Sequence, residues 1–223
     1  MWFYIKVLIL AFLWTNIDAG SRWREEKSKC PSVRSSKSFD FQQILGSWYV
    51  IKYYASSEES EIYRCMRTDF HLSPNDVEIS MNFTFSFMDD PDNEQLYGNI
   101  TWRIPDLRRP SHWVHSEDTY EGVYNTYVLD IDVNGDKSWV LLLHCAEKSG
   151  TARYLSSFIM GRRSTLPVNV IAYLQDKLPR YDIDLQYLFQ MQQNQCTPTQ
   201  TPLFFQTDKT SKTNKHPLKH PSH

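Results

Sequence analysis

Val77-Glu78-Ile79-Ser80-Met81-Asn82-Phe83-Thr84-Phe85-Ser86-Phe87 alternates apolar and polar residues without a break. A period of two places Val77, Ile79, Met81, Phe83, Phe85 and Phe87 on one face and the polar residues on the other, the pattern of a half-buried β-strand. The next run repeats it, with Leu96, Gly98, Ile100, Trp102 and Ile104 against Tyr97, Asn99, Thr101 and Arg103. Turn chemistry separates such runs at Ser73-Pro74-Asn75-Asp76, at Asp89-Asp90-Pro91-Asp92-Asn93 and at Val133-Asn134-Gly135-Asp136. From Trp48 to Arg162 the alternation divides into about eight strands, at 46–56, 62–73, 77–88, 95–104, 111–117, 122–132, 138–147 and 153–162. Short strands at regular spacing point to an up-and-down barrel or a sandwich.

The period then changes. Thr165 can cap a helix, Pro167 suits a first turn, and Val170, Ile171, Leu174 and Leu178 form one apolar stripe that Leu178-Pro179 ends. Ile183 to Met191 can add one further strand. A single helix after eight strands favours a closed barrel with a helix packed outside. An immunoglobulin-type sandwich would not need the helix and would want its own Cys…Trp…Cys pattern. The expected fold class is all-β with one flanking helix.

The flanking segments bound the compartment. Lys6 followed by the apolar run Val7–Trp14, with small residues at Ala19 and Gly20, reads as a signal peptide over 1–19. That run is too short to span a bilayer, and no transmembrane segment follows. Residues 197–223 are rich in Thr, Lys, His and Pro and are expected to be a disordered polar tail. The domain between them is expected over 30–196, localised to the extracellular space. Charge is nearly balanced, 24 Lys+Arg against 26 Asp+Glu, and no basic stripe marks a nucleic-acid partner. The four cysteines lie too far apart for zinc or redox CxxC spacing, and an even count in an oxidising compartment implies two disulfides with three possible connectivities. Asn82-Phe83-Thr84 and Asn99-Ile100-Thr101 are glycosylation sequons whose asparagines fall on the polar faces of their strands.

Two further segments carry a family resemblance. Ser38-Phe39-Asp40-Phe41-Gln42-Gln43-Ile44-Leu45-Gly46-Ser47-Trp48-Tyr49 and Phe158-Ile159-Met160-Gly161-Arg162, followed by Leu166-Pro167, resemble the first and last motifs of the lipocalins, in particular the secreted apolipoprotein-D-like and Lazarillo-like carriers. Ser38 stands where asparagine is more usual, and Tyr127–Asp132 stands where a Thr-Asp-Tyr-like element is expected, with a hairpin about three residues longer. The resemblance implies an eight-stranded antiparallel barrel enclosing one cavity, a calyx, with a C-terminal helix outside it. It implies that Arg162 stacks over Trp48 beside Gly46 at the closed end. It also implies the pairs Cys30–Cys145 and Cys65–Cys196.

The implied function is carriage of one small hydrophobic ligand, such as a neutral lipid, sterol, retinoid or pigment. Inward parity nominates Tyr54, Met81, Phe83, Phe85, Ile100, Trp102, Phe158 and Met160 as cavity lining. Lys52 shares the inward parity of Trp48 and either meets a polar ligand group or pairs with an internal carboxylate. In an up-and-down barrel alternate loops share an end. Glu58, Glu59 and Glu61, then Asp89, Asp90, Asp92 and Glu94, then Glu117, Asp118 and Glu121 should therefore rim the open mouth. Arg108, Arg109 and Lys137 fall at the other end. An acidic rim disfavours anionic ligands. His112 and His115 have a possible metal spacing but no third ligand nearby, and His216, His220 and His223 lie in the tail; no metal and no cofactor is expected. No Gly-x-Ser-x-Gly or His-Glu-x-x-His element supports an enzyme. The chain is expected to be a monomer. The alternative is an extracellular recognition or signalling glycoprotein whose loops meet a cell-surface receptor or a membrane surface, with the cavity incidental.

Overall fold

A computed structural model describes residues 28–75, 77–116, 122–147 and 150–196. The expected signal peptide, the polar tail with its histidines, and Glu117, Asp118 and Glu121 lie outside the described residues. Strands β1 (Gly46–Ala55), β2 (Tyr63–Leu72), β3 (Glu78–Phe87), β4 (Leu96–Arg103), β5 (His112–Ser116), β6 (Val123–Asp132), β7 (Trp139–Ala146) and β8 (Tyr154–Gly161) follow the alternating runs to within one residue at each end. They pair antiparallel in the order β2-β3-β4-β5-β6-β7-β8-β1, and a β1–β2 pairing closes the barrel. Among the described residues, no helix is long and apolar enough to cross a membrane.

Two apolar clusters lie on the two sides of the barrel wall. The inner one holds Trp48, Val50, Phe70, Ile79, Trp102, Trp113, Val140 and Leu142. The outer one holds Leu141, Leu143, Leu155 and Ile159 against Leu174 and Leu178. Helix α2 (Val168–Gln175) and the turn after it therefore cover β7 and β8 from outside. This is why Trp139-Val140-Leu141-Leu142-Leu143 is apolar without alternation: all five are buried, one set inward and one under the helix. Full burial of Leu174 and Leu178 stabilises this docking by about 2 kcal/mol each.

Thr165 does not cap α2. Pro167 takes the N-cap position with extended backbone, φ −57° and ψ 143°, so helical geometry first becomes possible at Val168. The further strand is shorter than expected. Within 183–191, Asp184 accepts from the Gln186 N–H and caps a 3-10 turn (Leu185–Tyr187), leaving only β9 (Phe189–Gln190).

β1 carries a bulge between Val50 and Lys52, and this changes which residues face inward. Val50 belongs to the inner cluster and its neighbour Ile51 to the outer one. Beyond the bulge Tyr53 points inward, while Tyr54 packs with the outer cluster.

The β1–β2 ladder is short, joining only Gly46–Tyr49 to Arg67–Phe70. Past it the C-terminal segment fills the seam. β9 pairs with Lys52 and Tyr53. The Met191 N–H donates to the Ile51 carbonyl and the Cys65 N–H to the Gln192 carbonyl. The Gln193 side-chain amide donates to the carbonyls of Val50 and Met66, one on each side of the gap. A Cys65–Cys196 disulfide staples this strap, and Cys30–Cys145 ties the N-terminal segment to β7.

Candidate functional site

One end of the barrel is sealed. A short helix, α1 (Phe41–Ile44), is capped by Asp40, whose carboxylate accepts from the chain while Gln43 reaches back to the Asp40 N–H. Gly46 follows with φ +83°, a conformation that glycine alone adopts freely. Its turn drops Trp48 into the barrel floor, where the indole N–H donates to the Ile44 carbonyl at 2.6 Å. Arg162 lies over the Trp48 ring at 3.7 Å, as the resemblance implies.

From that floor the odd-numbered strands rise toward the opposite end, so the loops after β1, β3, β5 and β7 share the mouth. Between floor and mouth lies a cavity of about 420 Å³. Its wall on β2, β3 and β4 is mostly apolar, with Met66, Met81, Phe83, Ile100 and Trp102, and its one hydroxyl, that of Thr68, donates to the Met160 sulfur at 3.6 Å. Phe83 can lie flat there because Gly98 sits opposite it on β4; any Cβ at Gly98 would overlap the Phe83 ring.

The facing wall is different. β5, β6, β7 and β8 present His115, Tyr124, Thr126, His144 and Tyr154, together with Leu142, Phe158 and Met160. The His144 ring is held on three sides, by Thr126 Oγ1 at 2.8 Å from Nδ1, by the Trp102 ring at 6.2 Å and by the Phe158 ring at 5.4 Å. Burial lowers the His144 pKa to about 4, so the imidazole is neutral at ordinary pH. Its residual exposure is to the cavity rather than to bulk water, which is why the protein atoms around it desolvate it so strongly. No Lys, Arg, Asp or Glu lines this cavity among the described residues.

Of the residues nominated by parity, Met81, Phe83, Ile100, Trp102, Phe158 and Met160 line the cavity. Tyr54 does not: the β1 bulge turns it outward, into a groove with Leu155, Asp184 and Tyr187. Lys52, which pairs with Ile159 of the outer cluster, is turned out by the same bulge. Phe85 keeps its inward parity but sits toward the mouth, in a ring cluster with Tyr63, Phe83 and Phe87 rather than along the cavity wall. Parity assigns a face and not a depth.

Sequence parity missed Met66, Thr68, His115, Tyr124, Thr126, Leu142, His144 and Tyr154. A signal for His144 was present. Cys145, once assigned to a disulfide outside the barrel, forces its neighbour His144 inside. Leu142 follows by the same alternation.

His112 and His115 occupy opposite faces of β5. His112 stacks on Tyr127 of the outer cluster, and His115 lines the cavity, so they cannot share a metal ion. The acidic rim is less uniform than its sequence. Asp90 accepts from the N–H groups of Asp92 and Glu94 and so organises its own loop. Glu58 is half-buried beside Tyr63, burial raises its carboxyl pKa, and its Oε2 has no hydrogen-bond partner among the described residues. Asp130 accepts from Tyr173 and Lys177 on and after α2, while Asp132 is exposed.

No protein-family model matches this sequence, and no curated protein sequence matches it. Solved structures do. The chain is similar to lobster apocrustacyanin A1 (TM-score 0.53, 14% identity, 74% of this chain and 90% of that one). It is similar to apocrustacyanin C2 (TM-score 0.53, 14% identity, 74% and 91%). It is also similar to H1 crustacyanin from the lobster Homarus americanus (TM-score 0.57, 15% identity, 76% and 90%). At such identities the likeness is one of fold. A closed eight-stranded antiparallel barrel, sealed by a Trp–Arg floor and flanked by one helix, is the lipocalin fold, and this chain adopts it.

Proposed function

We propose that this protein is a secreted carrier of a small, neutral, hydrophobic molecule held inside the barrel. The observation that carries the reading is the cavity of about 420 Å³, apolar on one wall and without a formal charge among its described lining residues. That volume falls in the range of small-molecule sites, and eight-stranded barrels of this kind hold one small ligand. Affinity would come from removing apolar ligand surface from water, at about 25 cal/mol per Å².

Two disulfides and two sequons support an extracellular location. Asn82 and Asn99 are directly opposed on the outer face of β3 and β4, hydrogen-bonded side chain to side chain at 2.6 Å, well away from the cavity. Glycans there would leave the mouth clear. The loops holding Glu58, Glu59 and Glu61 and Asp89–Glu94 share the mouth, and their charge would slow the approach of anions such as free fatty acids.

Titration with a neutral fluorescent apolar probe tests the carrier reading. Binding should be one-to-one and should be lost in Ile100→Trp, which fills the cavity from β4. Equal binding by that variant would place the ligand elsewhere.

A further inference from the structure

The polar wall of the cavity has a chemistry that an incidental void would not need. The Nδ1 of His144 is occupied by Thr126, while its Nε2 has no hydrogen-bond partner among the described residues. Stacked against it, with 22° between the ring planes, is Trp102, whose indole N–H likewise has no acceptor among the described residues. The indole nitrogens of Trp48 and Trp113, by contrast, are each bonded to a backbone carbonyl. Indole and imidazole nitrogens that face open space rather than a protein partner are available to whatever occupies that space. Neither nitrogen is among the fully enclosed, unpartnered side-chain atoms, so each keeps some access to the space beside it, and both belong to residues that line the cavity inside the barrel.

We infer that Trp102, His144 and Thr126 form a polar subsite, within the cavity wall, that recognises the hydroxyl end of an otherwise apolar ligand. This deepens the carrier reading and rests on it. The group required can be worked out from the donors. Trp102 can only donate, so the ligand atom must accept. Neutral His144 offers either an N–H or a lone pair at Nε2, depending on which way the Thr126 hydrogen bond runs. A hydroxyl satisfies Trp102 and either tautomer of His144. A keto oxygen satisfies Trp102 and only one tautomer, and an alkane satisfies neither. A carboxylate would be buried without a cation beside it, because no Lys or Arg lines the cavity among the described residues, and an unpaired buried charge is strongly disfavoured. The subsite lies against Phe158 and Leu142, so the hydroxyl would sit inside the barrel with the apolar body extending along Met81, Phe83 and Ile100.

The test uses the full disulfide-bonded protein and three probes of equal chain length: a long-chain primary alcohol, the alkane and the carboxylic acid. Each is titrated by isothermal calorimetry against the wild type, His144→Leu and Trp102→Phe. The wild type should bind the alcohol roughly ten-fold more tightly than the alkane, the gain of one or two buried hydrogen bonds. The acid should be weakest, and at high salt too, which separates the subsite from any effect of the acidic rim. Both variants should lose the alcohol's advantage, read as the ratio of alcohol to alkane affinity within the same protein. Equal affinity of alcohol and alkane in the wild type, or an advantage that survives in His144→Leu, would overturn the subsite with the carrier reading intact. Failure of all three probes to bind would overturn both. Long-range nitrogen–proton NMR of the wild-type imidazole gives a second readout that needs no variant. The Nε2 shift should move on adding alcohol and not on adding alkane, and an unmoved Nε2 would contradict the proposal.

Discussion

The Arg162 guanidinium lies 3.7 Å over the Trp48 ring and also donates to three carbonyls, those of Ser47 at 2.8 Å, Leu45 at 2.7 Å and Gln43 at 3.2 Å. One side chain at the end of β8 thus holds α1, the Gly46 turn and the barrel floor together. A planar fork is suited to this, because several carbonyls can be reached without bending away from the ring. Arg162→Ala should cost about 2–4 kcal/mol, and Arg162→Lys roughly half of that, by equilibrium urea unfolding. A loss below about 0.5 kcal/mol for Arg162→Ala would mean that the floor stands without it.

The strap in the β1–β2 seam depends on Cys65–Cys196, which links residues 131 apart in sequence. Constraining so long a loop is worth about 4–5 kcal/mol in the chain-entropy model. The double variant Cys65→Ala/Cys196→Ala should lose about that much. It should also exchange amide hydrogens faster at Lys52 and Tyr53, which pair with β9, and at Cys65, whose N–H donates to Gln192, with Gly46–Tyr49 still protected by their own ladder. Uniform exchange across all of β1 would show that the strap does not hold the seam.

His144 sets a pH dependence. Its pKa is about 4 when folded and about 6.5 when unfolded, so between those values the unfolded chain binds the proton that the folded one refuses. Stability should be full above about pH 6.5, fall as pH drops toward 4, and change no further on this account below it. A shift of this size corresponds to about 3 kcal/mol. His144→Leu should flatten that part of the profile, and an unchanged slope would contradict the assignment. His115 is the other histidine on the wall of this cavity, so His115→Gln is the control.

Gly98 provides the space that Phe83 fills. Gly98→Ala should push the Phe83 ring into the cavity, costing about 1–3 kcal/mol of stability and weakening an apolar probe about ten-fold. The double variant Gly98→Ala/Phe83→Leu should recover most of the affinity. Undiminished binding by Gly98→Ala would mean that this wall does not bound the ligand.

Most of the barrel was legible as alternation, because a wall with water on one side and the barrel interior on the other imposes a period of two on its strands. β7 broke the pattern for a reason equally visible, since a helix covers its outer face. What alternation could not convey was a single inserted residue. Val50 and Ile51 are both apolar and give no hint of which one leaves the ladder, yet that choice reverses the facing of Lys52, Tyr53 and Tyr54. Depth was hidden for the same reason: Phe83 and Phe85 share a face, and only the closure of the barrel places one on the cavity wall and the other in the mouth. The polar wall is harder to read because its residues are spread one or two to a strand over β5 to β8, although Cys145 implies an inward His144.

Native mass spectrometry of the protein purified from its natural source tests most directly whether the cavity carries a ligand. The expected result is a small apolar adduct of one molecule per chain, lost from Ile100→Trp prepared in the same way. A bare chain mass in every preparation, joined to unchanged apolar-probe binding by Ile100→Trp, would contradict it.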